Sequence, residues 1–124
     1  IRRGDYLNLS HYHTNLGANY YNPSIQHISQ NFKNVGFLIC SDDIGWCIDS
    51  FPKSDNITFS NADSQYEDMC MMSKCDLHII ANSSFSWWGS WLSESKCTIA
   101  PKDWFSAQGP KDWSTIYRAG WLLA

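Results

Sequence analysis

Val35 to Cys40, VGFLIC, is an unbroken apolar run with no polar alternation. A strand with one solvated face alternates, so a short continuous run predicts a strand covered on both faces, as in a parallel sheet under helices. Leu77 to Ala81 (LHIIA) and Thr98 to Ala100 (TIA) repeat the pattern in partly β-branched form, and Ile57 to Phe59 is a weaker instance. Helical signals fill the intervals. Asn22-Pro23 reads as an N-cap with Pro in the first helical position, followed by Ile25, Ile28 and Phe32 at helical spacing up to Asn34. Asp42 or Asp43 is positioned to cap a second helix through Phe51, ended by Pro52, and Asp63 a third with Tyr66, Met69, Cys70 and Met72 on one apolar face. A fourth begins near Ser83 or Ser84 and stops between Ser93 and Lys96. It carries Phe85, Trp88 and Leu92 on one stripe, with Trp87 and Trp91 beside it, and this spacing assigns Trp88 and Trp91 to the core.

Alternating strands and helices predict an α/β domain with right-handed crossovers and a Rossmann-like, doubly wound parallel sheet. Ligands of such sheets sit beyond the carboxyl ends of the strands, where loops enter helix N-termini. Three clusters fall there: Arg2 to Asp5, Ser41 to Asp43 and Asn82 to Ser86.

The length of 124 residues suits one domain, and 44% hydrophobic with 15% aromatic residues excludes a disordered tail. A net charge of -3, with six Lys and three Arg, excludes binding along an extended nucleic-acid backbone. Cys40, Cys47, Cys70, Cys75 and Cys97 form no CxxC pair, and two of them sit in strand-like runs, which predicts reduced thiols. No run approaches the roughly 20 apolar residues of a membrane span, and none resembles a signal peptide. Ile1-Arg2-Arg3 reads as the downstream end of an element whose beginning lies outside the sequence, so the chain is expected to be an excerpt.

Arg2 and Arg3 are two of the three arginines, and on a strand adjacent side chains point to opposite faces. One guanidinium can then grip phosphate oxygens in bidentate fashion while the other packs or pairs, with Asp5 for example; a plain surface ion pair fits equally well. Asn82-Ser83-Ser84-Phe85-Ser86 follows a strand and opens a helix, so unpaired backbone N–H groups and hydroxyls converge where anions bind. An ordinary N-cap accounts for the same residues. The two clusters together favour a diphosphate held without metal. Of Asp42 and Asp43, one caps a helix and the other is free to accept from a base or ribose. A metal held by that pair lacks further ligands nearby.

His11 and His13 read as solvated loop residues, His78 as a satisfied core residue, and Trp87, near the helix mouth, as a core residue with a sugar contact as the alternative. Arg3-Gly4-Asp5 spells an integrin-binding tripeptide, which recurs by chance.

IRRGDY, SDDIGW and MCMMSKCDLHIIANSSFSWWGSWL, in that order, resemble glycosyltransferase family 11, the α-1,2-fucosyltransferases, over nearly the whole chain. The resemblance implies the carboxyl-terminal, GDP-fucose-binding half of a GT-B enzyme, with the amino-terminal half absent from residues 1–124. It implies inverting transfer of L-fucose from GDP-β-L-fucose to the 2-hydroxyl of a terminal galactoside, with no metal or other cofactor. Arg2 would hold the diphosphate and assist catalysis, Arg3 and Asp5 would shape that loop, and Asp42 or Asp43 would meet the guanosine. Asn82, Ser83, Ser84 and Ser86 would form the phosphate-side loop. The family's basic motif begins with a His just before the residue matching Ile1, outside this chain. Another GDP-sugar transferase and a non-catalytic carbohydrate- or nucleotide-binding module are the alternatives. A cytoplasmic protein, associated with the membrane surface at most, is expected. The alternative is a Golgi-lumen enzyme anchored upstream, for which Asn8-Leu9-Ser10 and Asn56-Ile57-Thr58 are sequon matches.

Overall fold

The computed structural model describes residues 1–124. Five strands, β1 (Phe37–Ile39), β2 (Ile57–Phe59), β3 (Leu77–Ile79), β4 (Cys97–Ala100) and β5 (Leu122–Leu123), alternate with helices α1 (Ala18–Asn31), α2 (Ile44–Ser50), α3 (Gln65–Met72) and α4 (Ser84–Leu92). Every pairing is parallel, so the expected α/β, Rossmann-like architecture is present. The apolar runs became strands, trimmed at their ends: β1 drops Val35, Gly36 and Cys40, β3 drops Ile80 and Ala81, and β4 gains Cys97. The single expected sheet is instead two, β1-β2 and β3-β4-β5, with β1 and β3 facing each other across an open cleft. Two 3-10 turns, Asp5–Leu9 and Ser114–Ile116, and the short β5 carry no periodic signal long enough to read from sequence.

The start of α1 corrects the sequence expectation. The helix opens at Ala18 behind Gly17, ends at Asn31, and contains Pro23 in its second turn. Pro23 gives up the bond to the Asn19 carbonyl. Tertiary packing outweighs that loss, because Tyr20 and Tyr21 in the added turn are buried and the Tyr20 hydroxyl donates to the Ile80 and Ile99 carbonyls at 2.8 and 3.2 Å. Ile28, Ile39, Cys47, Phe51 and Ile99 complete this core; burying each large apolar side chain is worth ~1.5–3 kcal/mol. Asp43 caps α2 as expected, its carboxylate accepting the Trp46 N–H at 3.2 Å.

Ser64, not Asp63, caps α3: its hydroxyl accepts the Glu67 N–H, while the Glu67 carboxylate accepts from the Asp63 N–H at 2.9 Å. Ser-x-x-Glu has the capping-box pattern, here with the Glu67 carboxylate reaching one residue further back than the N-cap, to the Asp63 N–H, and it displaces the lone Asp cap. The expected face of α3 is also corrected. Tyr66 and Cys70 are exposed, while Asp68, Met69, Met71 and Met72 are half-buried.

The largest correction concerns α4. Trp88, Trp91 and Leu92 are 50%, 42% and 56% exposed, whereas Ser86, Gly89, Ser90 and Ser93 are buried. The inward stripe has helical spacing but consists of small residues, because α4 lies close to its neighbours. A Cβ at Gly89 would fall 2.5 Å from Cε of Met72, and the Ser90 and Thr98 hydroxyls hydrogen-bond at 2.8 Å. Phe85 is half-buried. All five cysteines are free thiols, and no helix is long and apolar enough to cross a membrane.

Candidate functional site

The site is built at the carboxyl ends of the strands, from the three clusters. A 3-10 turn begins directly after Gly4 and sends the chain back over its own start, with the Leu7 N–H donating to the Arg3 carbonyl at 3.0 Å. The Arg2 guanidinium thereby meets Asp5 at 2.8 Å and Asp42 at 3.0 Å and lies over the Tyr6 ring at 5.4 Å. Asp42 is shared: Oδ2 pairs with Arg2 while Oδ1 accepts the Arg3 backbone N–H at 2.9 Å. Arg3 turns the other way. Its guanidinium stacks on Trp46 at 3.8 Å and faces Asp43 at 3.5 Å, an ion pair that falls short of a hydrogen bond, since Nε has no partner. The opposite pointing of the two arginines matches the expectation, although residues 1–3 form no assigned strand here. Of the five guanidinium N–H groups on Arg2, two face these carboxylates, leaving donors for an anion.

Both carboxylates of the Ser41-Asp42-Asp43 cluster are engaged. Asp43 caps α2 and faces Arg3, and Asp42 holds both arginine residues, so Asp42 positions the Arg2 guanidinium.

The third cluster lies opposite. Ser83 is the N-cap of α4, but no side chain caps the first turn, so the N–H groups of that turn stay available. Asn82 is 1% exposed; its amide donates to the Thr14 and Trp104 carbonyls, both at 2.9 Å, and its Oδ1 has no partner. The Ser86 hydroxyl is turned inward to the Ala81 and Ser83 carbonyls at 3.0 and 3.2 Å. Ser84 is the exposed hydroxyl. The Tyr6 hydroxyl donates to the Asn82 carbonyl at 3.2 Å and ties the first cluster to the third across 76 residues of sequence. Burial raises the Tyr6 pKa against the opposing pull of Arg2, which keeps this donor protonated.

A cavity of about 1030 Å³ joins Arg2, Tyr6, Asp42, Ser83, Ser84 and Ser86 with the inner faces of β1 and β3. Asp5, Arg3, Asp43 and Asn82 support this group from outside the lining. Trp87 belongs elsewhere: its indole N–H donates to the Ile116 carbonyl at 2.8 Å, and its ring stacks on Trp91 at 4.9 Å. His13 is stacked on Tyr6 at 3.9 Å and is not a solvated loop residue; burial lowers its pKa. His11 is exposed, and His78 is buried with its pKa lowered by desolvation. Tyr6 and Trp46 are site residues that sequence reasoning passed over, though both lie inside the quoted motifs IRRGDY and SDDIGW. No group of three or more His, Cys, Asp or Glu side chains is arranged to hold a metal ion.

The Arg2 guanidinium, a helix N-terminus without a side-chain cap and the exposed Ser84 hydroxyl thus lie around one cavity at the carboxyl ends of the strands, a set of groups able to meet an anion. An alpha-1,2-colitosyltransferase of Escherichia coli is 42% identical over 117 residues, covering 87% of this chain and 40% of its own length. The O-antigen biosynthesis glycosyltransferase WbnK of Escherichia coli is 38% identical over 114 residues, covering 86% of the chain and 38% of its own length. The chain thus spans about 40% of the length of these relatives. No solved structure matches it. The family model "Glycosyl transferase family 11" matches residues 1–124, and the chain belongs to that glycosyltransferase family.

Proposed function

We propose that residues 1–124 are the donor-binding, carboxyl-terminal Rossmann-like half of a GT-B enzyme that transfers L-fucose from GDP-β-L-fucose to the 2-hydroxyl of a terminal galactoside, inverting the anomeric centre. The observation that carries the reading is the meeting of Arg2 with the uncapped start of α4 in one cavity. Arg2 offers its remaining N–H groups to the diphosphate, and the exposed Asp5 pair yields to it more readily than the less exposed Asp42 pair. The first-turn N–H groups of α4 and the Ser84 hydroxyl complete the cradle, with Asn82, Ser83 and Ser86 fixing its shape. Arg3, Asp42 and Asp43 hold the loop on the guanosine side. As the glycosidic bond breaks through an oxocarbenium-like transition state, Arg2 and the helix N-terminus stabilise charge growing on the β-phosphate. No metal enters this scheme, and the acceptor site and any general base are assigned to the amino-terminal half. The protein acts in the cytoplasm, at the membrane surface at most.

A second donor has specific support. One relative is named for α-1,2 transfer of colitose, which favours the α-1,2 linkage and opens the identity of the sugar. Titration of GDP, GDP-fucose and GDP-colitose against the full-length protein, with EDTA present and UDP and ADP as controls, tests the reading. Selective GDP binding that persists in EDTA is expected. Sugar binding without nucleotide binding by the folded protein would instead identify a carbohydrate-binding module.

A further inference from the structure

Asp5 and Asp42 attract the Arg2 guanidinium by charge, but ion pairs of a long, half-exposed side chain do little to fix one orientation. Tyr6 supplies a surface as well. The guanidinium lies over its ring at 5.4 Å, within the range of a cation–π contact. The ring itself is held twice: its hydroxyl donates to the Asn82 carbonyl, just before α4, and His13 stacks on it with 3.9 Å between centroids and 9° between planes.

His13 is fixed in turn by the segment that follows β4. Its backbone forms an antiparallel bridge with Phe105, and its ring packs against the Phe105 and Tyr12 rings at 5.7 and 4.9 Å. The Ser106 N–H donates to the Tyr12 carbonyl and the Gln108 N–H to the His11 carbonyl, both at 2.9 Å. A Cβ at Gly109 would fall 2.8 Å from the Tyr12 carbonyl oxygen and 2.6 Å from Cβ of Phe105, so the two segments meet at backbone distance. Nδ1 of His13 is buried with no partner, so this position uses the flat face of the ring rather than a bond from that nitrogen. Burial keeps the imidazole uncharged, with Asp5 favouring protonation and Arg2 opposing it, and the stack therefore adds no second cation beside Arg2. We infer that Tyr6 and His13 are positioning residues for Arg2: the segment after β4 fixes His13, His13 and the start of α4 fix the Tyr6 ring, and the ring sets the guanidinium. Its bearing on donor binding rests on the proposed reading of Arg2 as the diphosphate ligand.

A double-mutant cycle on the full-length protein tests this, with GDP titration as one readout and the Nε–H resonance of Arg2, followed by NMR without ligand, as the other. The step from Tyr6→Phe to Tyr6→Leu removes the ring alone and should raise the GDP Kd about three- to thirtyfold, the range of a cation–π contact. The same step in an Arg2→Ala background should change Kd by less than about twofold, because a positioning residue acts only through its target. His13→Phe, which keeps a flat ring, should bind GDP as the wild type does, and His13→Leu should not. The Arg2 resonance should shift in Tyr6→Leu and His13→Leu and hold in Tyr6→Phe. Equal losses with and without Arg2 would make Tyr6 a merely structural residue and overturn the inference, as would wild-type GDP affinity in Tyr6→Leu. If the folded wild-type protein binds no GDP, the donor reading falls by itself; the resonance then decides, and an Arg2 signal unmoved in Tyr6→Leu overturns the inference.

Discussion

A Cβ on Gly4 would lie 2.5 Å from Oδ2 of Asp42, the oxygen that pairs with the Arg2 guanidinium. The absence of a side chain at residue 4 is what lets a carboxylate 38 positions away reach both arginine residues. Gly4→Ala pushes that carboxylate aside and frees Arg2 to other orientations. Donor affinity of the full-length enzyme should fall about tenfold or more, in line with the ~1.5–3 kcal/mol of a charge-assisted contact, with little change in far-UV circular dichroism. Wild-type affinity in Gly4→Ala would show that Asp42 does not position the site.

Arg2→Ala removes the charge itself. Loss of the same ~1.5–3 kcal/mol, now from the transition state, slows transfer by ten- to over a hundredfold. A steady-state assay on a variant of confirmed fold checks this, and an unchanged kcat/KM would remove Arg2 from the mechanism.

Ser84 and Ser86 separate binding from stability. Ser86 is buried with its hydroxyl on two carbonyls, so Ser86→Ala should cost about 0.5–1.5 kcal/mol of unfolding free energy, read from urea titration. Ser84 is exposed, and Ser84→Ala should leave stability unchanged while weakening GDP binding. The opposite pattern in melting and titration would transfer the phosphate contact from Ser84 to Ser86.

Gly89→Ala tests the close approach of α3 and α4. Besides Cε of Met72, the added methyl meets Cβ of Met72 at 3.1 Å, so more than a flexible tip must move. Overpacking of this kind costs ~1–3 kcal/mol, which outweighs the roughly 1 kcal/mol gain in helix propensity. Urea denaturation should show net destabilisation. A more stable Gly89→Ala would mean that the helices separate without penalty.

Burial pushes the Cys40 thiol up to about 12 from an ordinary 9.0, with the nearby Asp68 adding to the effect, and it also raises Tyr20 and Tyr21 above their ordinary 10.0. Below pH 9 Cys40 is protonated both folded and unfolded, and its contribution to stability is complete. As pH rises from 9 towards 12 the unfolded thiol ionises while the folded one resists, so stability is lost across that window. The melting temperature should hold between pH 7 and 8.5 and fall steadily above 9. At pH 8, alkylation with mass-spectrometric readout should label exposed Cys70 well before Cys40. Equal labelling rates in the folded protein would contradict the partial burial of Cys40.

Much of this fold is legible because its signals are local. VGFLIC and LHIIA each contain a strand, TIA lies within one, and Asp43 caps α2, because an apolar run or a carboxylate three residues from an N–H needs no distant partner. The capping box Ser64-x-x-Glu67 was equally readable, but the neighbouring Asp63 masked it. The clusters Arg2 to Asp5 and Asn82 to Ser86 could be placed at strand ends, yet the Tyr6–Asn82 bond that joins them spans 76 residues and leaves no local trace.

By itself, then, the sequence determined the order of strands and helices and the three clusters at the carboxyl edge, since these follow from apolar pattern and spacing within a few turns of chain, while the family came from the resemblance of its motifs. The tertiary structure decided which face of α4 turns inward. Periodicity ranks residues by apolarity, but close packing of α4 against Met72 and Thr98 admits only Ser86, Gly89, Ser90 and Ser93, leaving Trp88 and Trp91 outside. It also decided that Asp42 serves the arginines, because a carboxylate is drawn to the cations that folding places beside it.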